Sequence, residues 1–346
     1  MAPKNTAAFH PADKAPSVEV GPSPYPTVGA NEVIIKVGAF AINPVDWKLQ
    51  AMGRDVFPSL QYPYTGGFDV SGTIVEVGAG AETAFKKGDR VLAFCHGFDS
   101  RSGAFQEYVA AAASVTAHIP DSLSFVDATV LPTGLTTAAV ALYQYLGLEF
   151  AASSEKGAKT VFVAGGASSV GSNAIQLAVA SGYTVYTTSS PANFAHCLSL
   201  GASKVFDYRS PSVAQDLKDA FQDKECVGAF SSLPEANALV FDVIAAIRTE
   251  NGNRKVASAH LVDNKGVPEN ISAKMIMAAT INDDAPLLDA LYRKFLPDAL
   301  AAGRYQCVPK PVVAGHSLDD VQAALDRGKT GSLSCEKLVV ALDGEA

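Results

Sequence analysis

Residues 161–182 read VFVAGGASSVGSNAIQLAVASG, and this stretch decides the fold. An apolar strand (Val161, Phe162, Val163) runs into a glycine turn at Gly165 and Gly166. A helix follows, with Val170, Ala174, Leu177 and Ala178 on one face. Glycine lets the backbone approach a pyrophosphate closely, and a helix N-terminus offers free N–H groups and the positive end of the helix dipole. Strand, turn and helix in this order are the context a dinucleotide fingerprint needs. Here the fingerprint is Gly166-x-Ser168-x-x-Gly171, with serine at the usual central glycine. The rival reading is an ordinary βα unit of an α/β protein.

The chain around this unit has the make-up of an enzyme. Its 346 residues suggest two domains, and 48% apolar content supplies a sizeable core. A net charge of −8 argues against a nucleic-acid phosphate backbone as partner. No apolar run of about 18 residues is read, so no membrane span is expected. The opening MAPKNTAAFH lacks the apolar region of a secretion signal. Cys95, Cys197, Cys226, Cys307 and Cys335 are scattered without a CxxC pair. A reducing, cytoplasmic setting without disulfides is the expectation.

Upstream the chain is strand-rich. EVIIKV alternates at Val33, Ile35 and Val37, and residues 70–77 and 91–94 also read as strands. Glycine, proline and aspartate punctuate them, which suggests a partly open β-barrel. From about residue 124 helices and strands alternate. Residues 126–146 read as mostly helical with a break near Pro132 to Gly134. Strands are expected at 184–188, 204–208, 226–230 and 255–259, with helices through His196 and Leu200, at 213–221 and at 237–248. Successive βα units of this length imply a parallel, doubly wound sheet with right-handed crossovers. A helix at about 287–302, a strand near Val312, a capped helix after Ser317 and a last strand at 337–342 complete the chain.

Seven blocks stand in a telling order: Asn43-Pro44-Val45-Asp46-Trp47-Lys48, Gly67-Phe68-Asp69-Val70-Ser71-Gly72, Lys87-Gly88-Asp89-Arg90-Val91, Gly103-Ala104-Phe105-Gln106-Glu107-Tyr108, Leu135-Thr136-Thr137-Ala138, the glycine loop, and Glu336-Lys337-Leu338-Val339-Val340. Together they resemble the medium-chain dehydrogenase/reductase superfamily over nearly the whole chain. Within it the chain is most similar to the zinc-independent quinone reductase and enoyl reductase branch. NPVDWK, GGxSSVG and the Ser-Pro-x-Asn after the second strand resemble fungal trans-acting enoyl reductases in particular. The resemblance implies an α/β protein of two domains. One is a GroES-like partly open β-barrel catalytic domain (1–130 and 290–346). The other is a Rossmann, doubly wound parallel-sheet NADP-binding domain (131–289).

The zinc-dependent relatives use an early cysteine and a GHExxG block. Here the corresponding stretches are AINPVDWK and GFDVSG, without the cysteine and the histidine. Cys95 and His96 are adjacent but lack a convincing third ligand, and a catalytic zinc needs about three. No metal is expected. NAD binding calls for an acidic residue about 20 positions past the glycine loop. Thr187 to Asn193 carries none, so NADPH is the expected cofactor. Ser189, Ser190 and Asn193 offer neutral donors to a 2′-phosphate, and the resemblance adds Tyr208 and Arg209. Alternatively, Ser189 to Asn193 only turn the chain and cap the next helix.

The resemblance further assigns Gly165, Gly166, Ala167, Ser168, Ser169, Val170 and Gly171 to the pyrophosphate. It assigns Val45, Lys48 and Thr137 to the nicotinamide end, with helix capping as the rival role for Thr137, and Leu333 and Ser334 to a backbone contact with the carboxamide. Lys48 donates to a substrate carbonyl, anchors the ribose, or stays a solvated lysine. Asn43 and Asp46 hold the loop, since Asn-Pro is a strong turn former. Trp47 reads as packing, as do Tyr62 and Tyr64 unless one delivers a proton. Substrate-pocket residues are sought around SAKMIMAAT (272–280), which equally reads as core.

Without zinc, a developing negative charge on a carbonyl oxygen needs hydrogen bonds or a cation. This suits reduction of a C=C bond conjugated to a carbonyl, in an enoyl thioester or an enone. The alternatives are a quinone reductase using the same site, or a non-catalytic NADPH-binding regulatory protein. A small-molecule substrate, carried on a polyketide carrier or free, and a monomer or homodimer are the expected associations.

Overall fold

The computed structural model describes residues 3–96, 98, 100–150, 159–331 and 333–342. Its contacts divide the chain into two units, Met1–Thr133 with Ala285–Ala346, and Gly134–Asp284.

The first unit is built on the long strand Glu32–Ala41. One edge pairs antiparallel with Asp69–Val77 along nearly its whole length. The other edge is shared, with Tyr108–Ala112 pairing at Glu32 to Lys36 and Glu336–Ala341 at Ala39 to Ala41. Arg90–Phe94 and Thr116–His118 extend the sheet on one side, and Lys310–Gly315 extends it, parallel, on the other. Among the described residues the ladder does not close, so the barrel is partly open. A second sheet orders Glu19–Ser23, Asn5–His10 and Tyr64–Thr65.

Strand Glu32–Ala41 differs from its simple alternation. Ile34 and Phe40 are as fully buried as Val33 and Ile35. Register shifts at Ile34/Ile35 and Val37/Ala39 re-phase the side chains and curl the sheet, so both faces are covered. The curl brings Gly72 so near that a Cβ there would lie 2.1 Å from the Lys36 carbonyl oxygen. Phe40, Val70, Ile74, Phe105 and Val340 belong to the barrel core.

The second unit is a six-stranded parallel sheet. Its strands are β1 (Lys159–Ala164), β2 (Thr184–Ser189), β3 (Lys204–Asp207), β4 (Glu225–Ser231), β5 (Lys255–Ser258) and β6 (Ser272–Met275). They lie in the order β3-β2-β1-β4-β5-β6, the doubly wound arrangement of a Rossmann fold. The crossover from β1 to β2 is helix α1, Ser169–Ala180. Its residues from Gly171 to Ala178 are all buried, so over that stretch α1 is enclosed on every side and not only on the apolar face read from its spacing. β6 is a strand that the sequence did not suggest. Two of its four side chains, Ser272 and Lys274, are exposed at the sheet edge.

Phe125–Tyr145 is helical enough, long enough and apolar enough to cross a membrane, with a mean hydropathy of 1.4. Its most apolar window is 89% buried inside the protein, as a core helix is. Asp127, Pro132 and Gly134 interrupt it, so it holds no unbroken apolar run of membrane-spanning length. The break falls at residues 129–131, before Pro132, where the chain turns between Phe125–Ala128 and Pro132–Ala139.

Candidate active site

The glycine turn after β1 is shaped by contacts that exclude side chains. Gly165 has φ +83°, and a Cβ there would lie 2.3 Å from Ser232 Oγ. A Cβ on Gly166 would meet Thr187 Oγ1 at 2.2 Å, and one on Gly171 the Gly165 oxygen at 2.2 Å. Ser168, at the position usually held by glycine, is the N-cap of α1: its Oγ accepts from Gly171 N at 3.0 Å. The same hydroxyl donates to the Gly165 oxygen at 2.8 Å. Ser232, at the end of β4, fastens the turn from the other side by donating to the Ala164 oxygen at 2.7 Å. Ser172 Oγ donates to the Gly166 oxygen and meets His196 Nε2 at 2.9 Å. Burial of His196 lowers its pKa. The bracing contacts of Ser232 with Ala164, of Thr187 with Gly166 and of His196 with Ser172 are not legible in the sequence, because each joins different βα units.

The turn therefore stays narrow and backbone-lined at the start of a twelve-residue helix. First-turn N–H groups, as at Ser169 and Val170, have no helical acceptor. Ala167, Ser168, Ser169 and Val170 are partly exposed there, whereas Gly165, Gly166 and Gly171 are buried. This set fits a pyrophosphate. The buried Ser169 Oγ has no hydrogen-bond partner. Gly134, on helix Pro132–Ala139, packs so near that a Cβ would lie 2.6 Å from that oxygen. Thr137 is one turn further along and 8% exposed.

At the end of β2 the side chains are short and neutral. Ser189 Oγ donates to the Ser190 oxygen at 3.1 Å, and Asn193 Nδ2 to Ser190 Oγ at 3.3 Å. Asn193 precedes helix Phe194–Ser199 but makes no side-chain cap, so capping does not explain it. Beyond β3, Tyr208 is 46% exposed and the Arg209 guanidinium lies 5.0 Å from its ring centroid. Arg209 N donates to Asp207 Oδ1 at 3.0 Å, which holds the backbone and leaves an exposed cation beside an exposed aromatic ring.

In the first unit, NPVDWK forms helix Pro44–Met52, with proline in its first turn. Asn43 N donates to Asp46 Oδ2 at 2.7 Å, tying the loop to the helix start. Asp46 is 2% exposed, and Oδ1 has no hydrogen-bond partner. Burial, then the nearby Asp69 carboxylate, pushes its pKa up to about 8 against the Asn43 N–H. Asp46 is thus a neutral acid over part of the physiological range. Tyr64 is buried and stacked on His10 at 4.7 Å, and burial holds its phenol protonated. Val45 and Lys48 are partly exposed; Lys48 Nζ lies 5.4 Å from the Trp47 ring centroid. Among the described residues Lys48 makes no ion pair. Trp47 packs on the barrel core, as does Leu333, which precedes Ser334 and the last strand.

Asp69 is the residue whose role the sequence concealed. It is 0% exposed and accepts four hydrogen bonds. Oδ1 receives Thr133 N and Thr133 Oγ1, each at 2.6 Å. Oδ2 receives Asn43 Nδ2 at 2.8 Å and Lys337 Nζ at 2.5 Å. Lys337 also donates to the Val130 oxygen at 2.9 Å. The acidic residue of GFDVSG is therefore committed to protein donors through both oxygens. Phe68 beside it is apolar, and Cys95 is buried with its thiol pKa pushed up. These groups do not make a zinc site, and among the described residues no three His, Cys, Asp or Glu side chains cluster as metal ligands.

Residues 29–121 match the family profile of the alcohol dehydrogenase GroES-like domain. The dehydrogenase pigH of Monascus ruber is 42% identical over 98% of this chain and 100% of its own. The chain belongs to the medium-chain dehydrogenase/reductase family. A trans-enoyl reductase, himH of Aspergillus japonicus, is 39% identical over 97% of both chains. The quinone oxidoreductase of Coxiella burnetii shares the fold at a TM-score of 0.72 and 23% identity, over 98% of this chain and 100% of that one. This medium-chain dehydrogenase/reductase is an oxidoreductase that works with a nicotinamide cofactor, and the glycine turn with α1 has the form such a cofactor's pyrophosphate requires.

Proposed function

We propose that this oxidoreductase uses NADPH to reduce a C=C bond conjugated to a carbonyl, in an enoyl thioester or enone. The observation that carries this reading is the commitment of Asp69 to Lys337, Asn43 and Thr133. The block that supplies zinc ligands in other family members serves here as a structural knot. Charge on a carbonyl oxygen must then be met by N–H, O–H or ammonium groups. A conjugated alkene makes the smaller demand, because its charge is delocalised in an enolate.

When bound, NADPH would supply hydride to the β-carbon, and a proton from solvent would complete the α-carbon of the enolate. Lys48, half-buried and without an ion pair among the described residues, is the cation available in the NPVDWK segment to donate to the carbonyl or to the cofactor ribose. Asn43 and Asp46 position that segment. Thr137 contributes a hydroxyl toward the nicotinamide ribose, and Leu333 with Ser334 a backbone contact to the carboxamide. Gly165 to Gly171 take the pyrophosphate; Ser189, Ser190, Asn193, Tyr208 and Arg209 take the 2′-phosphate and adenine. The himH relationship supports the enoyl substrate class.

The deciding experiment is turnover of purified protein with NADPH against a panel of enoyl thioesters, enones and quinones. Thioester or enone reduction at a kcat/KM at least tenfold above that for quinones is expected. Quinone reduction alone would replace this reading with the second one.

A further inference from the structure

The carboxyl ends of β4, β5 and β6 lie side by side. Ser231 pairs with Ser258, and Ser258 with Met275. The alignment continues past the strands, where Ala259 N donates to the Ser231 oxygen at 2.9 Å and Ile276 N to the Ser258 oxygen at 2.7 Å. His260 Nε2 meets the Ser232 oxygen at 3.0 Å and braces the first two loops together. Within three residues of each strand end stands an exposed large apolar side chain. They are Leu233 (41% exposed), Leu261 (77%) and Met277 (41%). Leu261 is the most exposed large apolar residue among those described.

This row starts at the cofactor turn. A Cβ on Gly165 would lie 3.2 Å from both Cγ and Cδ1 of Leu233. It then runs away from β1, across the half of the sheet opposite β2 and β3, where the adenine-end candidates lie. In an open α/β sheet, ligands bind outside the carboxyl ends of the strands. Three apolar side chains in water on such an edge, backed by a braced pair of loops, form a built surface without a ligand-facing charge of their own.

We propose that Leu233, Leu261 and Met277 form the floor for the apolar tail of the substrate, and that the substrate class is a medium- or long-chain enoyl thioester. The inference rests on the enoyl-reductase reading and deepens it. A row continuous with the cofactor turn is placed to receive a chain attached to the reacting alkene. A short enone or a compact quinone does not reach along it.

The test compares trans-2-butenoyl and trans-2-dodecenoyl N-acetylcysteamine thioesters in the whole protein, with Leu261→Gln and Met277→Gln as variants. Calorimetric titration of the NADP-loaded protein with the saturated dodecanoyl thioester gives a readout independent of turnover. In the native protein kcat/KM is expected to rise at least about tenfold from the short to the long chain. Each variant should cut that ratio to below about threefold and weaken dodecanoyl binding. A flat ratio in the native protein, or one untouched by both variants, overturns the floor while leaving enoyl reduction in place. Absence of turnover on every thioester overturns the enoyl reading. Dodecanoyl binding that depends on Leu261 would then still uphold the floor, and its absence would remove it. Sedimentation of Leu261→Gln provides a further check: conversion of a dimer to a monomer would make the row a subunit contact and overturn the proposal.

Discussion

Gly165 shows how a single position joins backbone geometry to the proposed binding of the cofactor. Its φ of +83° costs a side chain-bearing residue about 1–2 kcal/mol, and its missing Cβ makes room for Ser232 Oγ. Gly165→Ala should therefore lower stability by at least about 1 kcal/mol in urea titration and weaken NADPH binding more than tenfold in fluorescence titration. An unchanged affinity in the folded variant would remove the turn from the site. Asp46 makes a prediction with a sign. Its folded pKa of about 8 lies above the ordinary 3.8, so the native state holds a proton that the unfolded state has lost between those values. Stability from this group is complete below pH 3.8 and is lost as pH rises to about 8. Buried His10 works the other way: its pKa, lowered by burial to about 4, makes stability fall as pH drops below 6.5. The two oppose each other from pH 4 to 6.5, and above 6.5 only the Asp46 loss continues. Asp46→Asn should abolish the decline between pH 6.5 and 8, gaining more than about 1 kcal/mol at pH 8, and should expose the His10 rise below. A wild-type profile flat from pH 6.5 to 8 would contradict this. For Lys48, Lys48→Ala should lower kcat more than about tenfold; a raised KM for NADPH at constant kcat would make Lys48 a ribose anchor.

At the scale of elements, the proposed preference for NADPH rests on what the ends of β2 and β3 lack. No carboxylate stands between Thr187 and Asn193, and Arg209 beyond β3 is an exposed cation. NADPH should bind at least about tenfold more tightly than NADH, or about 1.4 kcal/mol, in fluorescence titrations. Arg209→Ala should reduce that preference to below about threefold with little change for NADH. Equal affinities for the two cofactors in the native protein would refute the assignment. Elements of this kind were legible because their signals are local: β1, the glycine turn and α1 follow from about twenty adjacent residues. β6 was not legible, since a four-residue edge strand with exposed Ser272 and Lys274 lacks the apolar run of an inner strand. The burial of α1 on all sides from Gly171 to Ala178 was hidden for a related reason. Gly171, Ser172, Asn173 and Gln176 are polar or small by type and are enclosed by tertiary packing alone.

Across the whole molecule, Asp69 collects partners at sequence separations of 26, 64 and 268 residues. No local pattern announces such a junction, which is why GFDVSG could be read as a departure from a zinc block but not as a structural centre. Its position fastens the start of NPVDWK, Thr133 at the start of helix Pro132–Ala139, and the last strand to one carboxylate. Since both oxygens are occupied by protein donors, activity should survive prolonged chelation; stoichiometric zinc whose removal abolishes turnover would contradict that. The junction also predicts a non-additive pattern of stability losses. Lys337 is 4% exposed and Asp69 0%, so removing either partner leaves the other buried with its charge uncompensated. Lys337→Met and Asp69→Asn should each cost about 3–5 kcal/mol in urea unfolding. The double variant removes both charges together and should lose clearly less than the sum of the two, with a coupling above about 1 kcal/mol. Additive losses would mean that the pair is not a unit, and that Thr133 and Asn43 hold Asp69 without help from the ammonium group.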